Sequence, residues 1–256
     1  MSVSLASQVV LHPTVSQTLR LAATTVGRDK VYRLVQNYAR FYAWFLLSRG
    51  HDKADIAKYN ALKSHLGTAR KLMRLGKPFE HLQAALRAAL SAGPALEQLL
   101  AVARQLAYFF YLSLDALAWA HSIKFTTFKA ETATKITKIA NRAWLAGILL
   151  SIINAEAKLL RIRAGEGDKD VGLEADRQAR LKLIATYVSQ EYRSTIVDFA
   201  SNRSAIRHQF IIDALDVWIP ATALGLSNLN DGVVGIFGVI SSAMALEKLW
   251  AAAGKN

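Results

Sequence analysis

Apolar positions recur at helical spacing along most of the chain. Between Asp29 and Ser48, Val31, Leu34, Val35, Tyr38, Phe41, Tyr42 and Phe45 follow the three-and-four rhythm of one helix face, with Arg33 and Arg40 on the other side. Gly50 ends that element. A second helical region is predicted from about Lys53 to Ala92, interrupted at Gly76-Lys77-Pro78, where proline removes a backbone donor. A third, Ala95–His121, opens after Gly93-Pro94 and is strongly apolar. A fourth, Lys129–Arg163, contains the charge-free run Ala143–Ala155. The sequence GEGDKDVG, Gly165–Gly172, reads as a hydrophilic loop, followed by an amphipathic, charged helix over Glu174–Phe199. From Phe210 to Trp250 the chain is apolar and punctuated by glycine. Prolines occur at 13, 78, 94 and 220 alone, and Asn-Gly and Gly-Gly hairpin signals are lacking, so the pattern predicts an all-α fold.

These elements group into four parts. Residues 1–94 form an N-terminal helical region holding a basic amphipathic segment at 63–90; 95–164 form an apolar helical region; 165–172 form the loop; 173–256 hold the amphipathic helix and a C-terminal apolar membrane region. A membrane-spanning helix needs about 20 mostly apolar residues. No charge-free apolar run is that long; Gly232–Leu246 and Val217–Asn230 have 15 and 14. Single charges are tolerated in a span where they face other helices. Leu99–His121, Ala143–Leu160 and Phe210–Leu249 are therefore candidate spans. The expected fold is a helical membrane protein, with amphipathic helices first and apolar helices toward the C-terminus.

Composition sharpens this. The chain is 52% apolar yet carries a net charge of +13. An anionic lipid surface satisfies both properties, because apolar side chains enter the acyl boundary while Lys and Arg meet phosphates. Nucleic acid would satisfy only the charge. The absence of cysteine excludes disulfides, thiolate zinc sites and thiol catalysis. The first twenty residues have no basic stretch before their apolar positions and include Pro13, which argues against a secretory signal. The final AAAGKN is unlike a Ser-Lys-Leu import address.

The segment Leu66–Leu90 divides into two faces. On a helical wheel Leu72, Leu75, Phe79, Leu82, Leu86 and Leu90 fall within about 80° of one another, while Lys63, Arg70, Arg74, Lys77 and His81 cluster within about 60° on the opposite side. The apolar stripe keeps its phase across Pro78. A core-facing helix would show the same stripe. Between Leu62 and Leu96, however, Glu80 is the only acid beside six Lys or Arg. A polar face of one sign is the mark of an interfacial helix.

Four segments together resemble a known family. DKVYRLVQNYARFYAWFL (Asp29–Leu46), LGTARKLMRLGKPFEHLQAAL (Leu66–Leu86), LAYFFYLSLDALAWAH (Leu106–His121) and DGVVGIFGVISSAMAL (Asp231–Leu246) are similar, in order, to the signatures of the peroxin-11 family of peroxisomal membrane proteins, in its fungal form. The resemblance implies an integral peroxisomal membrane protein that self-associates, remodels the membrane through an amphipathic helix and works with dynamin-type fission machinery. A pore activity has also been attributed to the family. On this resemblance Arg70, Lys71, Arg74 and Lys77 contact lipid phosphates, joined by Lys63 and Arg87. Leu72, Leu75, Phe79 and Leu82 insert, with Leu86 and Leu90 on the same stripe.

Other constellations carry less. Gly235, Gly238, Ser242 and Ala245 share a helix face, where small residues allow close helix packing or self-association. Asp115, Asp213 and Asp216 lie in apolar surroundings and need partners. Asp213 and Asp216 lack a third acid or a nearby His, so pairing with Arg203, Arg207 or Lys248 is expected rather than acid–base chemistry. Histidines 12, 51, 65, 81, 121 and 208 have no metal-ligand spacing, and no phosphate-binding loop, dinucleotide fingerprint or nucleophile elbow occurs. No enzyme, cofactor or metal is expected. Tyr108, Phe109, Phe110, Tyr111 and Trp119 read as core or an aromatic belt. A pore lined by Arg104, Asp115, Asp213 and Asp216 is the rival function. Nucleic acid is not an expected partner, because basic and aromatic residues do not share an exposed face.

Overall fold

The computed structural model describes residues 5–91, 94–180 and 203–255. All regular structure among them is helical. In chain order the helices are α1 (Leu5–Val10), α2 (Pro13–Ala23), α3 (Thr25–Ser48), α4 (Lys53–Leu72), α5 (Lys77–Leu90), α6 (Ala95–Ser122), α7 (Ala130–Arg180), α8 (203–216), α9 (Trp218–Ala223) and α10 (Asp231–Ala253). The predicted break near Pro78 is real: α4 stops at Leu72 and α5 restarts with Pro78 in its first turn, where the missing donor costs nothing.

Two differences from the sequence reading stand out. Helices α1 and α2 precede the first predicted element. Pro13 begins α2, and the His12 side chain accepts a hydrogen bond from the Thr14 amide as its cap. Helix α7 runs without a break through 165–172, where a loop was expected. That stretch lacks proline, and an interior glycine costs a helix only about 1 kcal/mol. The predicted helix Glu174–Phe199 lies largely in 181–202, outside the described residues.

Packing joins α3 to α10 and α4, α6 to α5 and α7, and α2 to α10. The α3–α10 seam is close because Gly235 and Gly238 present no Cβ to Phe41 and Asn37. Ser241 and Ser242, fully buried, donate back to the Gly238 carbonyl and so bring no unmet hydroxyl into the seam. A small apolar cluster of Tyr111, Leu112 and Ala140 holds α6 on α7, with Tyr111 stacked on Trp144 at 5.2 Å.

Charged and polar side chains share the interior with apolar ones such as Ala39, Leu46, Ile148 and Val234. On α3 the buried positions include Asp29, Arg33 and Asn37, while Val35, Tyr38 and Leu47 face outward. Glu97, Asp115, Asp213 and Asp216 are buried on other helices. Water would penalise this pattern twice, through exposed apolar area and desolvated charge. A lipid surround removes the first penalty, and mutual pairing relieves the second. Two helical segments, Ala130–Gly165 and Asp231–Ala253, are long and apolar enough to cross a bilayer.

Candidate functional site

The amphipathic segment folds as the sequence predicts but with its polar face turned inward. Leu72, Leu75, Phe79, Leu82, Leu86 and Leu90 all lie on the outside of the bundle, from 36% exposed at Leu75 to 88% at Leu90. Pro78 and Ala85 are its buried contacts. The stripe continues in phase across the α4–α5 turn, because Gly76 keeps a right-handed helical conformation there.

On the inner side the basic residues meet acids supplied by other helices. Arg70 Nε donates to Asp29 Oδ1 at 3.0 Å, and its Nη1 donates to Gln36 Oε1 at 2.7 Å. Lys71 and Arg74 share Asp115, at 2.9 and 3.0 Å, and Arg74 also donates to the Tyr111 hydroxyl. Lys63 reaches Asp231 at 3.4 Å, beside the Arg40–Asp231 pair at 2.7 Å. Arg33 pairs with Asp216, both nearly excluded from solvent. Lys77 lines the same interior, and Arg87 alone of the six expected headgroup ligands is exposed. The structure therefore corrects the expected outward basic face. A lipid phosphate would have to enter the bundle to reach Arg70, Lys71 or Arg74. The one-signed face is explained by acids on α3, α6 and α10 rather than by an anionic surface.

Most of these groups line a cavity of about 950 Å³ bounded by α3, α4, α6, α8 and α10, with parts of α5 and α7. Ten Lys or Arg and four Asp contribute to its wall. Burial would raise the Asp29 carboxyl, but Arg70, Arg74 and Lys30 outweigh it and hold Asp29 below the usual carboxylate range. Burial, together with the adjacent Arg33 guanidinium, pushes the Lys30 amine down to about 8. Arg104 lies over the Tyr108 ring at 5.3 Å, and its Nε is buried with no hydrogen-bond partner. Among the described residues no cluster of three or more His, Cys, Asp or Glu is arranged to hold a metal ion.

The remaining sequence candidates are accounted for within the chain. Gly235, Gly238 and Ser242 serve the α3–α10 seam, and Ala245 sits on the cavity wall. This small-residue face is thus occupied inside one molecule. Asp216 finds Arg33, not the expected Arg203, Arg207 or Lys248, and Asp213 accepts from Ser151 Oγ at 2.6 Å and Gln209 Nε2 at 2.9 Å. The α3 contribution was missed: Asp29, Arg33, Gln36 and Arg40 fall at spacings of four, three and four. That regular polar stripe, in a helix otherwise rich in aromatics, was the signal available.

A helical bundle that faces lipid-like side chains outward, pairs its charges inward and carries two helices of spanning length defines an α-helical membrane protein. The chain belongs to the peroxisomal biogenesis factor 11 family, whose model it matches over residues 15–250. It is similar to the peroxisomal membrane protein PMP30B of Candida boidinii, 24% identical across 95% of this chain and 96% of that protein. It is also similar to PMP27 of Saccharomyces cerevisiae, 25% identical across 95% and 98%, and to the mouse peroxisomal membrane protein 11A, 28% identical across 89% and 93%. Like these relatives, it is a protein of the peroxisomal membrane. No solved structure matches it.

Proposed function

We propose that this chain binds and bends the peroxisomal membrane through the outer stripe of α4–α5, and so drives elongation, proliferation and fission of the organelle. The observation that carries this reading is the exposure of Leu72, Leu75, Phe79, Leu82, Leu86 and Leu90 on one continuous face. Removing about 50 Å² of apolar surface per side chain from water favours insertion by roughly 1 kcal/mol each, at 25 cal/mol per Å². Shallow insertion expands one leaflet and favours curvature. Because most of the basic face is internal, insertion is led by apolar contact, with Arg87 and the net charge of +13 adding attraction to anionic phospholipid. The reading assigns no catalytic step. Its further partners, a second copy of the chain and dynamin-type fission machinery, are supported by the family resemblance.

The test is remodelling of anionic liposomes by the full chain. Phe79→Glu with Leu82→Glu should abolish flotation with the vesicles and their elongation, while helical content stays unchanged. Equal remodelling by this variant would overturn the reading. The charged cavity favours a second reading, a pore for small metabolites lined by Arg104, Asp115, Asp213 and Asp216. That reading requires conductance in planar bilayers whose ion selectivity changes in Arg104→Gln.

A further inference from the structure

We propose that the charged cavity is a binding site for a phosphate group, either free inorganic phosphate or the headgroup of a lipid reaching in from the membrane. The inference concerns the cavity and depends on neither membrane bending nor conduction. Most wall cations are matched: Arg33, Arg40, Lys63, Arg70, Lys71 and Arg74 each have a carboxylate within 4.0 Å. Lys30, Lys77, Arg104 and Lys248 line the same space with no carboxylate in pairing distance among the described residues. The last acid of the wall, Asp213, is already held by Ser151 and Gln209.

Lys30, Lys77 and Arg104, partly buried around one cavity and without a carboxylate partner, repel one another more strongly than they would in bulk water, with Lys248 at the cavity's exposed edge. Burial, and after it the neighbouring Arg33, holds the Lys30 amine down at about 8. Arg104 adds a second, independent sign, a buried guanidinium Nε left without an acceptor. Most buried donors have an acceptor. An anion with several acceptor oxygens suits such donors. Phosphate carries between one and two negative charges at neutral pH and offers oxygens in several directions. Donors on α3, α5, α6 and α10 line the space in which it would sit. A single carboxylate brings one charge and two oxygens, too few for donors on four helices.

The experiment is calorimetric titration of the full chain, in zwitterionic detergent micelles at low ionic strength, with inorganic phosphate and separately with short-chain phosphatidic acid. Saturable binding is expected, weakened at least tenfold by Arg104→Gln and by Lys248→Gln and unchanged by Lys53→Gln, an exposed cation at the start of α4. Binding of phosphate assigns the free anion; binding of phosphatidic acid alone assigns the headgroup. Absence of saturable binding to both overturns the proposal. So does an equal effect of Lys53→Gln, which would show attraction to net charge only. Circular dichroism checks each variant's fold, and Lys248→Gln, at an exposed edge of the cavity, carries the test if Arg104→Gln unfolds.

Discussion

Gly235 of α10 lies against the backbone of Phe41 in α3: a methyl group at 235 would sit 2.7 Å from the Phe41 amide nitrogen and 2.9 Å from its Cα. Backbone cannot rotate away as a side chain can, so the two helices would have to part. Alanine favours a helix over glycine by about 1 kcal/mol, whereas overpacking costs about 1–3 kcal/mol. Gly235→Ala is therefore expected to destabilise the protein, seen as a lower melting temperature in detergent. Gly76→Ala, which meets open space at a right-handed backbone, is expected to be neutral or slightly stabilising. Equal effects at the two sites would show that the seam is looser than described.

Arg33 and Asp216 form a pair removed from solvent, joining α3 to α8 across 183 positions of sequence. Removing one partner strands a buried charge, at a cost of about 3–5 kcal/mol. Arg33→Met should thus be severely destabilising. Adding Asp216→Leu should recover much of that loss, because the pair as a whole contributes little beyond its own desolvation. A double-mutant cycle of melting curves reads the coupling.

Lys30 links stability to pH. Its folded value, about 8, lies below the ordinary 10.5, so the unfolded chain binds more protons between these limits. Stability rises with pH wherever the unfolded state holds the extra proton. The protein should gain stability from pH 8 to 10.5, by up to about 3 kcal/mol at 1.36 kcal/mol per unit. Lys30→Met should flatten the slope in that window and stabilise the protein at pH 7. An unchanged slope would remove Lys30 as its source.

The two faces of α4–α5 should respond oppositely to substitution. Arg70→Gln breaks the pair with Asp29 inside the bundle and should cost about 2–4 kcal/mol of stability. Leu86→Gln and Leu90→Gln change side chains that touch little else, 60% and 88% exposed, and should leave the melting temperature within about 1 °C, with effects below 0.5 kcal/mol. Comparing melting curves with vesicle flotation separates the roles. If Leu90→Gln melts early, the stripe belongs to a core.

The helix positions were legible because their signals are local. The break at Pro78 and the start at Ala95 follow from proline, glycine and apolar spacing within one element, whereas the apolar stretch Phe210–Trp250, read as one, divides into α8, α9 and α10. The outer stripe was legible for the same reason. Periodicity separates two faces of a helix, however, and does not say which one points inward. In water the apolar face of α3 would be buried; here Arg33 is buried and Tyr38 exposed, because the surroundings rather than the residues set the direction. Partners across long separations were also hidden. Nothing near Arg70 in sequence indicates Asp29, 41 positions away, and Gly235 does not announce Phe41. The family resemblance supplied the organelle but not the inward turn of the charges.

Two helices far apart in sequence, α2 and α10, fasten to each other. Gln17 and Arg20 of α2 donate to the Trp250 and Ala253 carbonyls, both at 2.8 Å, in the last turn of α10, where the Trp250 carbonyl also accepts from the Gly254 amide. These bonds, and the seam with α3, require a helix translated after every other described one. While the ribosome still holds Asp231, the inner face of α3 lacks α10, and Arg40 and Lys63 lack their carboxylate. Closing so long a stretch of chain is slow relative to local helix formation. The nascent protein therefore passes through an open stage with its charges uncovered. Assembly is completed from the C-terminal side, with α10 as the closing piece.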